Sequence, residues 1–242
     1  MRILVVNDDG IMAEGIVRLA RAAKTLGEVR VVAPSAQCSA MSHRITVRGE
    51  LVVKPVDFPV GGVTAYSVSG TPADCVKVAL AALMPEKPDI VFSGINEGYN
   101  AGRDILYSGT IGAATEALSN GIAAIAFSSE ANGIFEVVDA QLESVAAELS
   151  RRKLPPDKMW NVNFPGCRMA EYRGILYDRV PASHALFSDC YDKIENADGS
   201  LCLSVNGIRT DKADAGTDIR AVLDRYISIG IIGNEVISAS LF

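Results

Sequence analysis

Asn7-Asp8-Asp9-Gly10 sets two carboxylates side by side, with an amide before them and a glycine after. Adjacent anions repel unless protons or a cation neutralise them. Carboxylate and amide oxygens together suit a hard divalent cation such as Mg²⁺ or Mn²⁺. The same residue types also build ordinary solvated turns, so the tetrapeptide alone leaves both readings open. Two more polar stretches offer matching chemistry. Pro34 to Arg44 carries Ser39 among Ser35, Gln37, Ser42 and His43. Gly94 to Asp104 carries Asn96, and Ser108-Gly109-Thr110 follows it. Pooled, these oxygens make a site for Mg²⁺ or Mn²⁺ with room left for substrate phosphate oxygens. A Ser-Gly-Thr turn opening a helix aims free N–H groups at an anion, although a plain helix cap has the same composition.

A serine hydrolase using Ser39 and His43 is the competing chemistry, but the chain has no Gly-x-Ser-x-Gly elbow. It also lacks a Walker A motif and a Gly-x-Gly-x-x-Gly fingerprint, which argues against ATPase and dinucleotide readings. A noncatalytic nucleotide-binding module stays open as a third class.

The elements around these stretches place them. Arg2 to Val6 is a short apolar run of the kind that forms a buried parallel strand, and Gly10 allows a sharp turn after it. A helical pattern starts near Ala13, with Ile16, Leu19, Ala20 and Ala23 on one face. Val29 to Ala33 is the second strand. Ile45 to Lys54 reads as extended, Pro55 to Gly62 as a turn-rich break, and Ala65 to Val68 as a strand. Thr71-Pro72-Ala73-Asp74 is a strong helix start: a capping hydroxyl, a proline at the first helical position and an acid in the first turn. Asp89 to Ser93 and Ala123 to Ser128 are further strands, with helices after Ser108 and from Phe135 to about Leu149. Trp160 to Phe164 is expected to be the last strand of the main sheet. Beyond Pro165 the segments Gly174 to Arg179, Leu201 to Ile208 and Tyr226 to Ile232 read as β, without clear helices between them.

Alternating β and α units predict an α/β fold, a Rossmann-like doubly wound parallel sheet with a C-terminal β-hairpin extension. The expected division is a catalytic core over 1–165 and a β-rich extension over 166–242 that completes the fold and serves either in oligomerisation or as a cap over the site. In such sheets ligands bind at the carboxyl ends of the strands, where Asp8, Asp9, Ser39 and Asn96 all fall.

Composition narrows the function further. The 242 residues are 49% hydrophobic and carry a formal net charge of −6, which disfavours a nucleic-acid polymer as partner. No apolar run is long enough to span a bilayer, and no signal peptide is expected. Five scattered cysteines without a Cys-x-x-Cys pair fit free thiols in a reducing cytoplasm.

Several motifs in order resemble the SurE (survival protein E) family of nucleotidases. They are Asn7-Asp-Asp-Gly10, Ala33-Pro34 with Ser39 downstream, Ser69-Gly-Thr-Pro-Ala-Asp74, Ser93-Gly-Ile-Asn96 with Gly98 and Asn100, Tyr107-Ser-Gly-Thr110, Asn161-Val-Asn-Phe-Pro165 and Gly216-Thr-Asp218. Around Ser39 the chain departs from the family's Ser-Gly stretch, reading Gln37-Cys-Ser-Ala-Met-Ser42. The resemblance implies a metal-dependent phosphatase acting on nucleoside 5′- and 3′-monophosphates, with polyphosphate a further substrate. It also implies one Mg²⁺ or Mn²⁺ held by Asp8, Asp9, Ser39 and Asn96. Asp8, Asp9 and Asn96 are then the catalytic residues. Substrate contacts come from Asn7, Ser39, Asn96, Ser108, Gly109 and Thr110. A homodimer or homotetramer built through the C-terminal extension completes the expectation.

Overall fold

The computed structural model describes residues 1–234. Its centre is a nine-stranded sheet in the order β3-β4-β2-β1-β5-β6-β7-β11-β8. β1 (Arg2–Val6), β2 (Glu28–Pro34), β4 (Thr64–Val68), β5 (Ile90–Glu97), β6 (Ala123–Ser129) and β7 (Lys158–Phe164) are mutually parallel. The strands read as near-continuous apolar runs because both faces are covered. On one face α1 (Glu14–Lys24) and α4 (Glu136–Arg151) pack Ile16, Leu19, Val138, Leu142 and Val145 against Ile3, Val5, Phe92 and Phe127. On the other, α2 (Pro72–Val78) and α3 (Gly109–Ser119) bury Val76, Ile111, Ala114 and Leu118 over Leu4, Val6, Val91 and Ala126. The expected cap of α2 forms in full: Thr71 Oγ1 accepts from the Asp74 N–H, and the Asp74 carboxylate accepts from the Thr71 N–H.

The sheet does not end at β7. β11 (Ile227–Gly233) adds antiparallel to it, from Ser228 opposite Asn163 to Gly233 opposite Lys158, and β8 (Ile175–Leu176) closes the edge. Ile227 and Ile229 are buried in the same core as Val162 and Phe164, so apolar burial draws this late strand into the main sheet. Between Asp218 and Leu223 the chain forms a short helix, α5, capped by Thr217 and absent from the sequence reading. β9 (Phe187–Glu195) and β10 (Leu201–Arg209) form a separate antiparallel hairpin, of which only β10 is expected from sequence.

The extended segment expected over Ile45 to Lys54 narrows to β3 (Val53–Val56), an edge strand that tolerates Pro55 within it. Upstream, Thr46 gives its N–H and hydroxyl to Asp74 instead of to a ladder.

Candidate metal and phosphate site

The turn after β1 is closed from within. Asn7 Nδ2 donates to the Gly10 carbonyl at 2.8 Å, and Gly10 adopts φ +105°, a region that favours glycine. Ile11 N–H then reaches the Pro34 carbonyl at the end of β2. The carboxylates of Asp8 and Asp9 thereby sit at the carboxyl edge of the sheet, between β2 and β5.

Asp8 is 4% exposed. Thr110 at the start of α3 supplies two donors to it, Oγ1 to Oδ1 at 2.7 Å and N–H to Oδ2 at 3.2 Å. Burial outweighs these bonds and pushes the Asp8 carboxyl up to about 6, with the neighbouring Asp9 charge adding to the rise. Asp9 is half-buried and accepts the Glu97 N–H at 3.0 Å. Its pKa is raised as well, by burial first and then by the Glu97 carboxylate. Two neighbouring acids, one buried and one half-buried, both pushed toward the neutral form, mark a place where a cation would relieve the repulsion.

The other expected residues converge on this edge to different degrees. Asn96, near the end of β5, donates from Nδ2 to the Gly98 carbonyl at 2.7 Å, which leaves Oδ1 as its acceptor. The adjacent Glu97 N–H is the one that holds Asp9. Ser39 is exposed on the loop after β2, and Cys38 N–H ties that loop to the Asp8 carbonyl at 2.7 Å. Two non-glycine residues of this loop, Ala40 and Ser42, take left-handed φ values of 56° and 54°. Such conformations cost on the order of 1–3 kcal/mol each and persist only when the surroundings enforce them.

At the start of α3, Ser108 caps the helix by accepting the Ile111 N–H at 3.1 Å, and Ser108 N–H donates to the Ile105 carbonyl. With Thr110 N–H on Asp8, two of the three N–H groups expected to face an anion are engaged within the chain. The third, at Gly109, is a first-turn donor that a helix cannot satisfy internally.

The residue chemistry fits a divalent cation. Among the described residues no cluster of three or more His, Cys, Asp and Glu side chains gathers, so a cation here would draw on the two carboxylates and on hydroxyl or amide oxygens. That is a hard, oxygen-only set of the kind Mg²⁺ and Mn²⁺ take. Asn7 Oδ1 beside them is buried and has no hydrogen-bond partner among the described residues.

The serine-hydrolase pair does not form. No hydrogen bond joins Ser39 to His43, and His43 Nε2 lies 2.8 Å from Glu116 Oε2 on α3. His184, the other histidine, faces the Lys212 carbonyl at 2.7 Å.

Asn100, Asn161, Asn163 and Asp218, which the sequence reading names among the family motifs without a role, hold the Asn96 loop. Asn100 is the hub. Its N–H donates to Asn163 Oδ1 at 3.0 Å, its Nδ2 to Ser128 Oγ at 2.8 Å, and its carbonyl accepts from Asn161 and Asn163. Two residues on, Gly102 N–H is taken by buried Asp218. The alternation of Asn161 and Asn163 in an otherwise apolar strand was the available signal, since polar residues at every second position share one sheet face.

A family model described as Survival protein SurE matches residues 3–185. The 5′-nucleotidase SurE of Gemmatimonas aurantiaca is 41% identical over 236 residues, covering 95% of this chain and 91% of that protein. The 5′-nucleotidase SurE 1 of Thermus thermophilus is 41% identical over 235 residues, covering 95% and 90%. The crystal structure of SurE from Aquifex aeolicus superposes with a TM-score of 0.82 at 34% identity, over 100% of this chain and 98% of that one. With a family model over most of its length, and relatives and a fold that agree from end to end, the chain belongs to the SurE family.

Proposed function

We propose that this chain is a metal-dependent phosphomonoesterase that hydrolyses nucleoside 5′-monophosphates, and 3′-monophosphates with them, to nucleoside and phosphate. The observation that carries the reading is the meeting of Asp8 with the first turn of α3, beside Asp9 on the Glu97 N–H, which brings carboxylates for a cation and a helix-start N–H for an anion to one edge of the sheet. Asp8, Asp9, Ser39 and Asn96 would hold one Mg²⁺ or Mn²⁺. When bound, the cation supplies charge neutralisation at phosphate and a more acidic water. Thr110 fixes both oxygens of Asp8, the Glu97 N–H orients Asp9, and the Gly109 N–H is left to receive a phosphate oxygen. Asn7 closes the turn that presents both acids.

Residues 1–165 are read as the catalytic core and 166–242 as the extension that completes the fold. Hairpin β9–β10 exposes Tyr191, Ile194, Leu203, Val205 and Ile208, and an apolar hairpin of this kind is covered by a second subunit in a dimer or tetramer. Five free cysteines support a cytoplasmic setting. Among the described residues, no helix is long and apolar enough to cross a membrane.

The test is phosphate release over a panel of nucleoside monophosphates, sugar phosphates and polyphosphate, with EDTA and with Mn²⁺ or Mg²⁺ restored. Release from nucleotides that is lost in EDTA, restored by metal and abolished in Asp8→Asn supports the reading. Full activity in EDTA overturns it.

A further inference from the structure

Besides the Cys38 bond to Asp8, the loop that carries Ser39 has a second anchorage, on α3 and the residues just before it. Its backbone lies directly on α3: a side chain at Gly112 would set its Cβ 2.1 Å from the Ser42 carbonyl oxygen. Ser42 N–H donates to the Tyr107 carbonyl at 2.9 Å, and Ser42 Oγ to the Leu106 carbonyl at 2.7 Å. One residue further on, His43 Nε2 meets Glu116 Oε2 at 2.8 Å, one helical turn beyond Gly112. Glu116 is buried, with its other oxygen 3.0 Å from Asn120 Nδ2 and 3.5 Å from Lys77 Nζ on α2. It is thus a fixed acceptor. His43 is its contact to the loop, and between His43 and Ser39 lie the left-handed residues Ala40 and Ser42.

We propose that His43 is a positioning residue: its bond to Glu116 locks the strained 39–43 loop onto α3 and so holds Ser39 at the Asp8 edge. α3 also carries Thr110, which holds Asp8, so the lock references both ligand segments to one rigid helix. This rests on the reading of Ser39 as a metal ligand. His43 takes no part in bond breaking. Without the lock, the loop relaxes from its left-handed conformation and Ser39 leaves the site.

Three readouts on the full-length protein test this. The first is amide exchange at Cys38 and Ser42, with and without Mn²⁺. The second is Mn²⁺ affinity by calorimetry. The third is the Mn²⁺ concentration for half-maximal phosphate release from a nucleoside monophosphate. His43→Ala is expected to speed exchange at Ser42 and to weaken Mn²⁺ binding about tenfold, with kcat at saturating Mn²⁺ within about twofold of the parent. His43→Gln keeps an N–H donor toward Glu116 and is expected to behave as the parent in all three. A His43→Ala protein with unchanged exchange and unchanged Mn²⁺ affinity overturns the proposal. So does a His43→Gln protein as impaired as His43→Ala, because the hydrogen bond is then not the cause. If the parent releases no phosphate, the functional reading fails, while exchange and Mn²⁺ affinity still decide the role of His43.

Discussion

Thr110 gives both of its donors to Asp8, across 102 positions of sequence, so a single residue at a helix start fixes both oxygens of a buried carboxylate. Thr110→Val keeps the branched shape and the N–H but removes the hydroxyl. A hydrogen bond to a charged group contributes about 1.5–3 kcal/mol, so kcat/KM for nucleotide is expected to fall roughly 10- to 100-fold. Thr110→Ser should recover most of it. Phosphate-release kinetics at saturating Mn²⁺ check this, and a valine variant with parental kcat/KM would show that the bond does not serve the reaction.

The raised pKa of Asp8 has a defined consequence for metal-free stability. The folded value of about 6 lies above the ordinary 3.8. Between these two values the folded chain keeps a proton that the unfolded chain has lost. Stability from this group therefore falls as pH rises from about 4 to about 6, and the loss persists above that. The interval from 3.8 to about 6 corresponds to roughly 3 kcal/mol. Urea unfolding of the EDTA-treated protein at pH 4 and pH 7.5 captures most of it, with Asp8→Asn as the reference that lacks the group. The parent should lose stability relative to Asp8→Asn across that interval, and added Mn²⁺ should return it. Parallel curves for the two proteins would contradict the buried charge.

Gly109 lies where backbone and carboxylate nearly touch. A Cβ there would sit 3.0 Å from both Cβ and Oδ2 of Asp8 and 3.2 Å from Cγ of Pro72. Gly109→Val is expected to raise KM for nucleotide by crowding the anion approach. Because it also presses on Asp8, it should weaken Mn²⁺ binding at least several-fold without substrate present. Calorimetry separates the two effects. Mn²⁺ affinity equal to that of the parent would show that Asp8 yields without cost.

The hairpin and the last sheet strand call for different deletions. Leu186 and Thr210 are hydrogen-bonded across the hairpin root at 2.8 Å, so a short Gly-Ser bridge joins them once 187–209 is removed. That protein should be a soluble monomer in light scattering while the parent is a dimer or tetramer. Truncation after Gly216 removes α5 and β11, uncovers the edge of β7 and should give insoluble protein. A parent that scatters as a monomer across a wide concentration range refutes the assembly.

The parallel core was legible because burial on both faces imposes unbroken apolar runs such as Ile3 to Val6, and α2 because Thr71, Pro72 and Asp74 specify a helix start locally. The position of Asp8 and Asp9 at the carboxyl edge of the sheet was legible for the same reason, since a turn directly after a buried parallel strand lands there. What stayed hidden depends on partners distant in sequence. Nothing in Ile227 to Gly233 says that it will pair antiparallel with β7, and six residues of α5 are too few to show a helical period. The grip of Thr110 on Asp8 and the Asn100 hub arise only when segments about 60 to 100 residues apart are brought together. Ser108 does cap α3, as the plain reading of Ser108 to Thr110 has it, and the bonds of Thr110 to Asp8 were in neither reading.

The placement of β11 also fixes the order in which a nascent chain can finish folding. β7 ends at Phe164, but the strand that covers its edge is not complete until Gly233, about 70 residues later. At synthesis rates of about 5–20 residues per second, the half-built sheet presents an apolar, unpaired border for several seconds on every ribosome. Chaperone binding to stalled chains should therefore peak between these two points and drop once β11 has emerged.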